Sequence, residues 1–113
     1  MTMAADLDLA RRLGAAEQFL VVVAATRADG SVHASVVNAG ILDDPVTGEP
    51  CVALVARGDA RKLGYFRRGG RAAVVFRSGW EWVAVEGPVR LFGPDDPLDG
   101  LAADRLPELL RDI

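Results

Sequence analysis

Residues 19–41 read FLVVVAATRADGSVHASVVNAGI, and this stretch decides the fold. Phe19 to Thr26 is a continuous run of β-branched and small apolar residues, which favours a strand buried on both faces. Asp29-Gly30 separates this run from a second one, Val32 to Ile41. Asp-Gly between two strand-like runs is a strong hairpin signal. The stretch therefore predicts an antiparallel hairpin.

Further helices and strands are predicted on both sides of the hairpin. Asp6 to Gln18 is typical of a helix, with Asp6 as its N-cap and Gly14 as a weak point. Asp43 to Pro50 is a turn-rich loop. The other predicted strands are Cys51 to Ala56, Arg71 to Phe76 and Trp80 to Leu91, and the other predicted helices are Gly58 to Arg68 and Leu101 to Asp112. A kink is expected at Gly87-Pro88, because proline cannot donate to a central ladder.

This pattern predicts a mainly β fold of five or six short antiparallel strands. Such hairpins tend to close into a barrel, because closure removes exposed strand edges. The chain has 113 residues, which suits one domain, and we expect a single β-barrel domain over residues 1–113 with flanking helices. A domain of this size buries a limited share of its surface, so a partner subunit would help to stabilise it.

Composition excludes several classes of function. The net charge of −3 leaves no basic surplus for nucleic acid. With one cysteine and one histidine, the sequence does not supply the usual ligand sets of a zinc site. It also has neither a Walker loop nor a GxGxxG motif for binding nucleotides. The charged N-terminus does not match a signal peptide, and no apolar run approaches the roughly 20 residues that span a bilayer. We expect a cytoplasmic protein that binds small molecules.

The basic segment from Arg57 to Arg68 is the first candidate binding element. It leaves a strand-like run and enters a predicted helix, where free backbone N–H groups and the helix dipole favour an anion. Arg61 and Lys62 fall in the first turn, where the dipole disfavours a cation unless an anion lies beside it. An ordinary solvated helix face explains the same residues equally well.

The second strand is another candidate. Alternation places His33, Ser35 and Val37 on one face and Val32, Ala34, Val36 and Asn38 on the other. Small residues here would let a flat ring lie against the strand, although the pattern alone favours an edge strand with a wet face. His33 and the nearby serines share one strand and form no catalytic triad.

Trp80 and Trp82 are two of the seven aromatic residues, and their spacing places them on one strand face. Tryptophan pairs of this kind are common at dimer interfaces and around flat ligands. Plain core packing explains the pair about as well. The residues alone leave all three roles open.

The order of these segments resembles the split β-barrel flavin-binding proteins of the pyridoxamine-5'-phosphate-oxidase-like superfamily. More narrowly, it is similar to the flavin/deazaflavin oxidoreductases that use coenzyme F-420. The stretches that carry the resemblance are Ala25-Thr26-Arg27-Ala28-Asp29-Gly30, Val32-His33-Ala34-Ser35, Ala60-Arg61-Lys62-Leu63, Phe66-Arg67-Arg68, Arg71-Ala72-Ala73-Val74-Val75, Gly79-Trp80 and Val85-Glu86-Gly87. Together they lie within roughly residues 15–92, and their order is more specific than any one of them.

The resemblance implies an antiparallel Greek-key barrel that works as a homodimer, with the cofactor ring at the dimer interface. It implies that Lys62 holds the cofactor's phosphate with Arg61 beside it, and that Trp80 sits where the partner subunit approaches. The ring and linker contacts that it implies are Ser35, Val36, Val37, Asn38, Val55 and Ala56. This sequence departs from the family pattern at Tyr65, which stands where the helix usually has Asn, and in the lack of the family's final strand after Ile113.

The activity implied is hydride transfer between coenzyme F-420 and a small unsaturated organic substrate. The cofactor carries the hydride, while the protein binds and orients it. No residue stands out as a catalytic acid or base, so the proton is expected from solvent. The alternatives are an FMN-dependent oxidase or reductase of the same fold, and a non-enzymatic carrier of flavin, haem or deazaflavin.

Overall fold

The computed structural model describes residues 4–55, 64, 66, 70–93, 96, 100–111 and 113. The elements are the helix α1 (Ala4–Ala16), the strands β1 (Leu20–Thr26), β2 (Val32–Asp43), β3 (Pro50–Leu54), β4 (Arg71–Ser78) and β5 (Glu81–Pro88), a 3-10 turn (Ala103–Arg105) and the helix α2 (Leu106–Arg111). Strands account for 50% and helices for 21%, which confirms the predicted mainly β class. The predicted helix from Gly58 to Arg68 lies almost wholly outside the described residues, although Gly64 and Phe66 are helical.

The five strands form one curled antiparallel sheet, a half-barrel, in the order β3-β2-β1-β4-β5. The predicted hairpin is confirmed, because β1 and β2 pair from Leu20 with Asn38 to Thr26 with Val32. Its turn is fixed by Asp29, whose carboxylate accepts bonds from the N–H and hydroxyl of Ser31 at 2.9 and 2.6 Å. These hydrogen bonds lower the pKa of Asp29.

The prediction that β1 is buried on both faces is wrong. Burial alternates along the strand: Val21 and Val23 are each 2% exposed, whereas Leu20 and Val22 are 49% and 40% exposed. The run is apolar at every position, so the sequence hides this alternation. We call the face that carries Val21 the inner face of the sheet and the face that carries Val22 the outer face.

The helix α1 covers the inner face. Its buried residues Leu7, Ala10 and Leu13 join the core cluster that contains Val74 and Phe76. Alternate residues of the strands supply the rest of this cluster, as expected for a sheet with one covered face. Leu13 and Phe76 are almost completely buried, and each contributes roughly 1.5–3 kcal/mol of hydrophobic stabilisation.

The turn between α1 and β1 explains the glycine inside the predicted helix. The helix ends at Ala16, and Gln18 and Phe19 both adopt the left-handed conformation with φ of 56°. This turn folds the ring of Phe19 back against Gly14, where an added Cβ would lie 2.6 Å from the ring. Gly14 therefore makes room for Phe19. The helix begins at Ala4, so Asp6 lies inside its first turn and is not the N-cap.

We expect Gly14→Ala to destabilise the fold by about 1–3 kcal/mol, as overpacking does, although alanine is the better helix former by about 1 kcal/mol. Chemical denaturation of the variant measures the change. Ala15→Gly on the exposed side of the same helix is the control for propensity. In the Phe19→Ala background the penalty should disappear, and a Gly14→Ala variant more stable than the wild type would contradict the packing argument.

A partly buried ion pair joins the chain after β5 to the hairpin between β2 and β3. Asp44 is 6% exposed and pairs with Arg90. The same carboxylate accepts hydrogen bonds from the backbone N–H groups of Val46 and Thr47 at 2.8 and 3.1 Å. Because β3 and β5 are the two edges of the sheet, this pair links the chain that leaves one edge to the loop beside the other.

We expect Asp44→Ala to lower the free energy of unfolding by about 3 kcal/mol, since it leaves backbone donors and a guanidinium without their acceptor. Urea titration followed by circular dichroism measures this loss. The matched control is Asp8→Ala, which breaks the exposed Asp8–Arg11 pair and should cost less than about 1 kcal/mol. Equal losses in the two variants would show that Asp44 has no special role in linking the two edges.

The strand boundaries differ from the prediction by one to three residues: β1 begins one residue later, and β2 and β4 each end two residues later. The strand predicted from Trp80 to Leu91 runs from Glu81 to Pro88, so the expected kink at Gly87-Pro88 coincides with the end of the strand. Proline lacks the N–H that would extend the ladder. The predicted strand from Cys51 to Ala56 begins at Pro50, and its described part ends at Leu54.

Candidate functional site

The register of the strands defines four rows of side chains across the outer face. One row contains Asn38, Leu20, Arg77 and Trp82, and the next contains Val36, Val22, Val75 and Ala84. The third row contains Ala34, Ala24, Ala73 and Glu86, and the fourth contains Val32, Thr26, Arg71 and Pro88. Each row crosses β2, β1, β4 and β5 in that order. The outer face thus mixes apolar and small side chains, with charges only on β4 and β5.

This outer face is apolar and uncovered among the described residues. Val36, Trp82 and Val32 are 66%, 64% and 62% exposed. Single exposed apolar residues are common on soluble proteins, but a contiguous patch of this kind marks an interaction surface or a ligand site. The face is therefore the leading candidate for function.

The strand β2 divides the predicted contact residues between the two faces. Val36 and Asn38 lie on the outer face, whereas Ser35 and Val37 are half-buried on the inner face. This confirms the predicted alternation. The solvent-exposed face of β2 is the one that carries Val36 and Asn38, however, and not the one that carries Ser35. Val55 follows β3 and is 49% exposed. Ala39 pairs with Leu54. One step further along this antiparallel ladder, Val55 lies beside Asn38.

Of the remaining predicted contacts, the structure describes only Trp80, which does not lie at β2. Trp80 lies in the turn between β4 and β5 and is fully exposed, at 100%. This turn is at the same end of the sheet as Asn38 but at least two strand spacings away, or about 10 Å. One chain therefore does not bring Trp80 onto the β2 residues. Ala56, Arg61 and Lys62 lie outside the described residues.

Among the residues that the structure describes, no strand pairs with the first half of β2 on its side away from β1. Ala39 donates to the carbonyl of Phe19, and Arg27 donates to the carbonyl of Ser31. In an antiparallel ladder, hydrogen-bonded pairs alternate with non-bonded ones, so the odd-numbered residues of β2 direct their N–H and C=O groups toward β1. The even-numbered residues direct theirs away from β1, and β3 pairs only from Ala39 onward.

Val36 lies in the part of β2 that no described strand pairs with on the side away from β1. Among the described residues, no strand pairs with Ala34 or Val36 on the side away from β1. The carbonyl of Val32 accepts a bond from the Arg27 side chain at 2.9 Å, which covers that end of the edge. Within the described part of the chain, Val36 therefore directs a donor and an acceptor away from β1, beside an exposed apolar surface. The sequence does not predict which residues of β2 direct their N–H and C=O groups away from β1. That direction depends on which residue pairs of the β1–β2 ladder are hydrogen-bonded.

Ser35 has a buried hydroxyl with no hydrogen-bond partner in the described structure. A buried polar group without a partner costs free energy, and such groups in native proteins call for an explanation. The carboxamide of Asn38, in contrast, is already engaged, since its Nδ2 donates to the carbonyl of Gln18 at 3.1 Å. The hydroxyl of Ser35 thus has unused hydrogen-bonding capacity, but it lies on the inner face, opposite the exposed outer face.

We expect Ser35→Ala to leave the free energy of unfolding unchanged or to raise it by up to about 1 kcal/mol, because the substitution removes an unsatisfied group. Urea denaturation checks this. Ser31→Ala is the contrasting control, since its hydroxyl is bonded to Asp29, and it should cost about 0.5–1 kcal/mol. A loss above about 1 kcal/mol in Ser35→Ala would mean that this hydroxyl has a protein partner.

A shallow hollow of about 220 Å³ lies at the other end of the outer face, and sequence reasoning missed it. Its floor is made by small residues of β1 and β4, and Arg71 and Glu86 stand at its rim. The hollow exists because Ala24 and Ala73 are cross-strand neighbours, a pairing that becomes visible only from the register. The sequence shows alanines on both strands but not that they meet.

The described residues offer little chemistry of their own. Among them, no group of three or more His, Cys, Asp or Glu side chains is arranged to hold a metal ion. Burial and the nearby Asp43 raise the pKa of the Cys51 thiol, so this cysteine is not an activated nucleophile. No helix within the described ranges is long and apolar enough to cross a membrane.

Comparisons with known proteins identified no relative of this chain. A scan against protein-family models, a search of curated proteins and a search of solved structures each found no match. Any functional assignment therefore depends on the sequence motifs and on the geometry of the outer face.

Proposed function

We propose that this protein binds coenzyme F-420 on the outer face beside the first half of β2, and transfers a hydride between this deazaflavin and a small unsaturated organic substrate. FMN is the alternative cofactor, in an oxidase or reductase of the same fold. The proposal includes a split β-barrel of Greek-key type, a homodimeric assembly and a cytoplasmic location. Two observations support the proposal together: the order of the motifs in the sequence and the exposed outer face of the sheet.

The observation that carries the proposal is the main chain of Val36 beside an uncovered apolar surface. The ring system of flavins and deazaflavins is flat, and its pyrimidine edge alternates carbonyl acceptors with an N–H donor. A strand edge whose N–H and C=O point away from β1 matches that alternation, and the exposed side chains of Val36 and Val22 offer an apolar bed for the ring. Ligand sites commonly combine such a bed with a few fixed polar groups.

One further feature fits a ring with a phosphate-bearing tail. Val55, at the end of β3, leads directly into the basic segment that contains Arg61 and Lys62. The chain thus passes from the proposed ring site to cations suited to phosphate.

When bound, the cofactor supplies the hydride chemistry. The chain's own residues bind and orient the ring and exclude water from one of its faces. His33 is half-buried on the inner face, so its side chain points away from the surface proposed for the ring. Because the His33 imidazole does not face the proposed ring, this position supports solvent as the source of the substrate proton. The choice of F-420 over FMN is supported by the motif order alone.

The ion pair between Asp44 and Arg90 supports the finer fold assignment. It brings the chain that follows β5 to the hairpin between β2 and β3, which lies at the opposite edge of the sheet. Val46, in the same hairpin, is also close to Gly100. Both contacts favour a sheet that curls toward closure, as a split barrel requires.

We expect Lys62→Ala to weaken cofactor binding by roughly ten- to a hundredfold, since a charge-assisted contact to phosphate contributes on the order of 1.5–3 kcal/mol. Fluorescence titration with F-420 and with FMN, at low and high salt, measures the change. Added salt should weaken binding of the wild type more than that of the variant, because the contact is electrostatic. The fold should remain intact.

The matched control is Arg11→Ala, which removes an exposed cation from α1, far along the chain from the basic segment. It should leave cofactor affinity unchanged. Equal affinity of wild type and Lys62→Ala for the bound cofactor would refute the phosphate assignment. If the cofactor binds but is never reduced or oxidised by unsaturated substrates, the protein is a carrier of flavin, haem or deazaflavin and the oxidoreductase proposal fails.

A further inference from the structure

The hollow at the far end of the outer face has opposite charges on its rim. Arg71 and Glu86 both line it, and both residues are exposed. In the β4–β5 ladder Arg71 lies opposite Pro88, whereas Glu86 lies opposite Ala73 on the same face. The two charges are therefore diagonal neighbours, with Cα atoms roughly 7–8 Å apart. Within the described part of the chain, no ion pair joins them.

The floor between these charges is small and apolar. The cross-strand neighbours Ala24 and Ala73 form it, and Thr26 and Val32 bound it on the side of β1 and β2. The volume of about 220 Å³ lies below the range of roughly 300–1,000 Å³ that is usual for drug-sized ligands. The hollow therefore fits a short molecule with a compact apolar part.

Arg71 differs from the other arginines in what its side chain contacts. Every other arginine side chain that the structure describes is paired with a carboxylate or a main-chain carbonyl: Arg11, Arg12, Arg27, Arg77, Arg90 and Arg105. Among the described residues, Arg71 alone has no such acceptor. A planar guanidinium binds a carboxylate through two parallel hydrogen bonds. Arg71 is thus a cation at a hollow, with its full capacity to bind a carboxylate ligand.

Glu86 determines which kind of carboxylate the hollow accepts. A simple anion bound to Arg71 would be repelled by the Glu86 carboxylate, whereas a ligand that also carries a cation is attracted on both sides. A carboxylate offers about four lone-pair positions, so Glu86 can accept from a ligand in addition to its contacts within the chain. The ammonium and carboxylate of an α-amino acid share one carbon, so one short molecule reaches both side chains.

We propose that this hollow binds a small zwitterion of the α-amino acid class. The ligand's carboxylate lies against the Arg71 guanidinium, its ammonium lies against Glu86, and its apolar side chain lies on the alanine floor. The site is separate from the cofactor binding proposed above and does not depend on it. Because both charged contacts are open to solvent, we expect millimolar affinity that falls as salt is added.

Titration of the cofactor-free protein with valine, followed by magnetic resonance of its backbone amides, tests the site. Saturable shifts should be confined to the amides around Ala24, Thr26 and Ala73, while that of Asn38, at the other end of the outer face, should stay in place. Isovalerate lacks the ammonium group and isobutylamine lacks the carboxylate, so each should bind more weakly than valine by about tenfold or more. No saturable shift at millimolar valine, or isovalerate binding as tightly as valine, would overturn the proposal.

Substitution of Arg71 tests the carboxylate contact. Arg71→Gln should weaken valine binding by about tenfold or more, because an amide cannot form the charged bidentate contact. The matched control is Arg77→Gln, which removes a cation from the same face of the same strand, about 20 Å away. It should leave the affinity for valine unchanged. Equal effects of the two variants would show that net charge alone governs binding, and the assigned contact would be wrong.

Filling the floor tests the position of the site. Ala24→Leu should abolish valine binding, because the larger side chain occupies the hollow. Ala84→Leu makes the same change on the outer face but outside the hollow, so it should bind valine as the wild type does. Circular dichroism verifies that both variants fold. Undiminished valine binding by folded Ala24→Leu protein would overturn the placement, whatever the outcome of the cofactor titrations.

Discussion

The packing of α1 against one face of the sheet is the constraint on which the rest of the structure depends. Leu7, Ala10 and Leu13 occupy the inner face, and their burial decides which half of every strand becomes core. Since side chains alternate along a strand, covering one face leaves the other face uncovered. The exposure of Val22 and Val36 is the direct consequence. An exposed apolar surface of this kind marks a site of interaction.

The hydrogen-bonding pattern between β1 and β2 adds a second constraint, on the direction of the main-chain groups of β2. The bond from Ala39 to the carbonyl of Phe19 fixes which residues of β2 turn their main chain toward β1. The same residues that place side chains on the outer face direct their N–H and C=O groups away from β1. Val36 therefore carries an exposed apolar side chain and a main chain that, among the described residues, faces no partner strand.

Several sequence predictions depended on local rules and came close to the structure. The Asp29-Gly30 turn, the alternation along β2 and the helix before β1 follow from dihedral preference and short-range periodicity, which act over a few residues. Gly14 shows the limit of such rules. Propensity marks it as a flaw in the helix, whereas its function is to admit the ring of Phe19, which lies beyond the next turn.

The sequence by itself determined the mainly β class, the central hairpin and the candidate strand, because turn residues and β-branched runs act locally. Only the tertiary structure decided that β1 has one buried and one exposed face, since an all-apolar run carries no alternation and the position of α1 must supply it. It also decided that Trp80 lies apart from Asn38 and that Ala24 meets Ala73. Strand order and register bring together residues far apart in the chain, and no local pattern encodes which strands become neighbours.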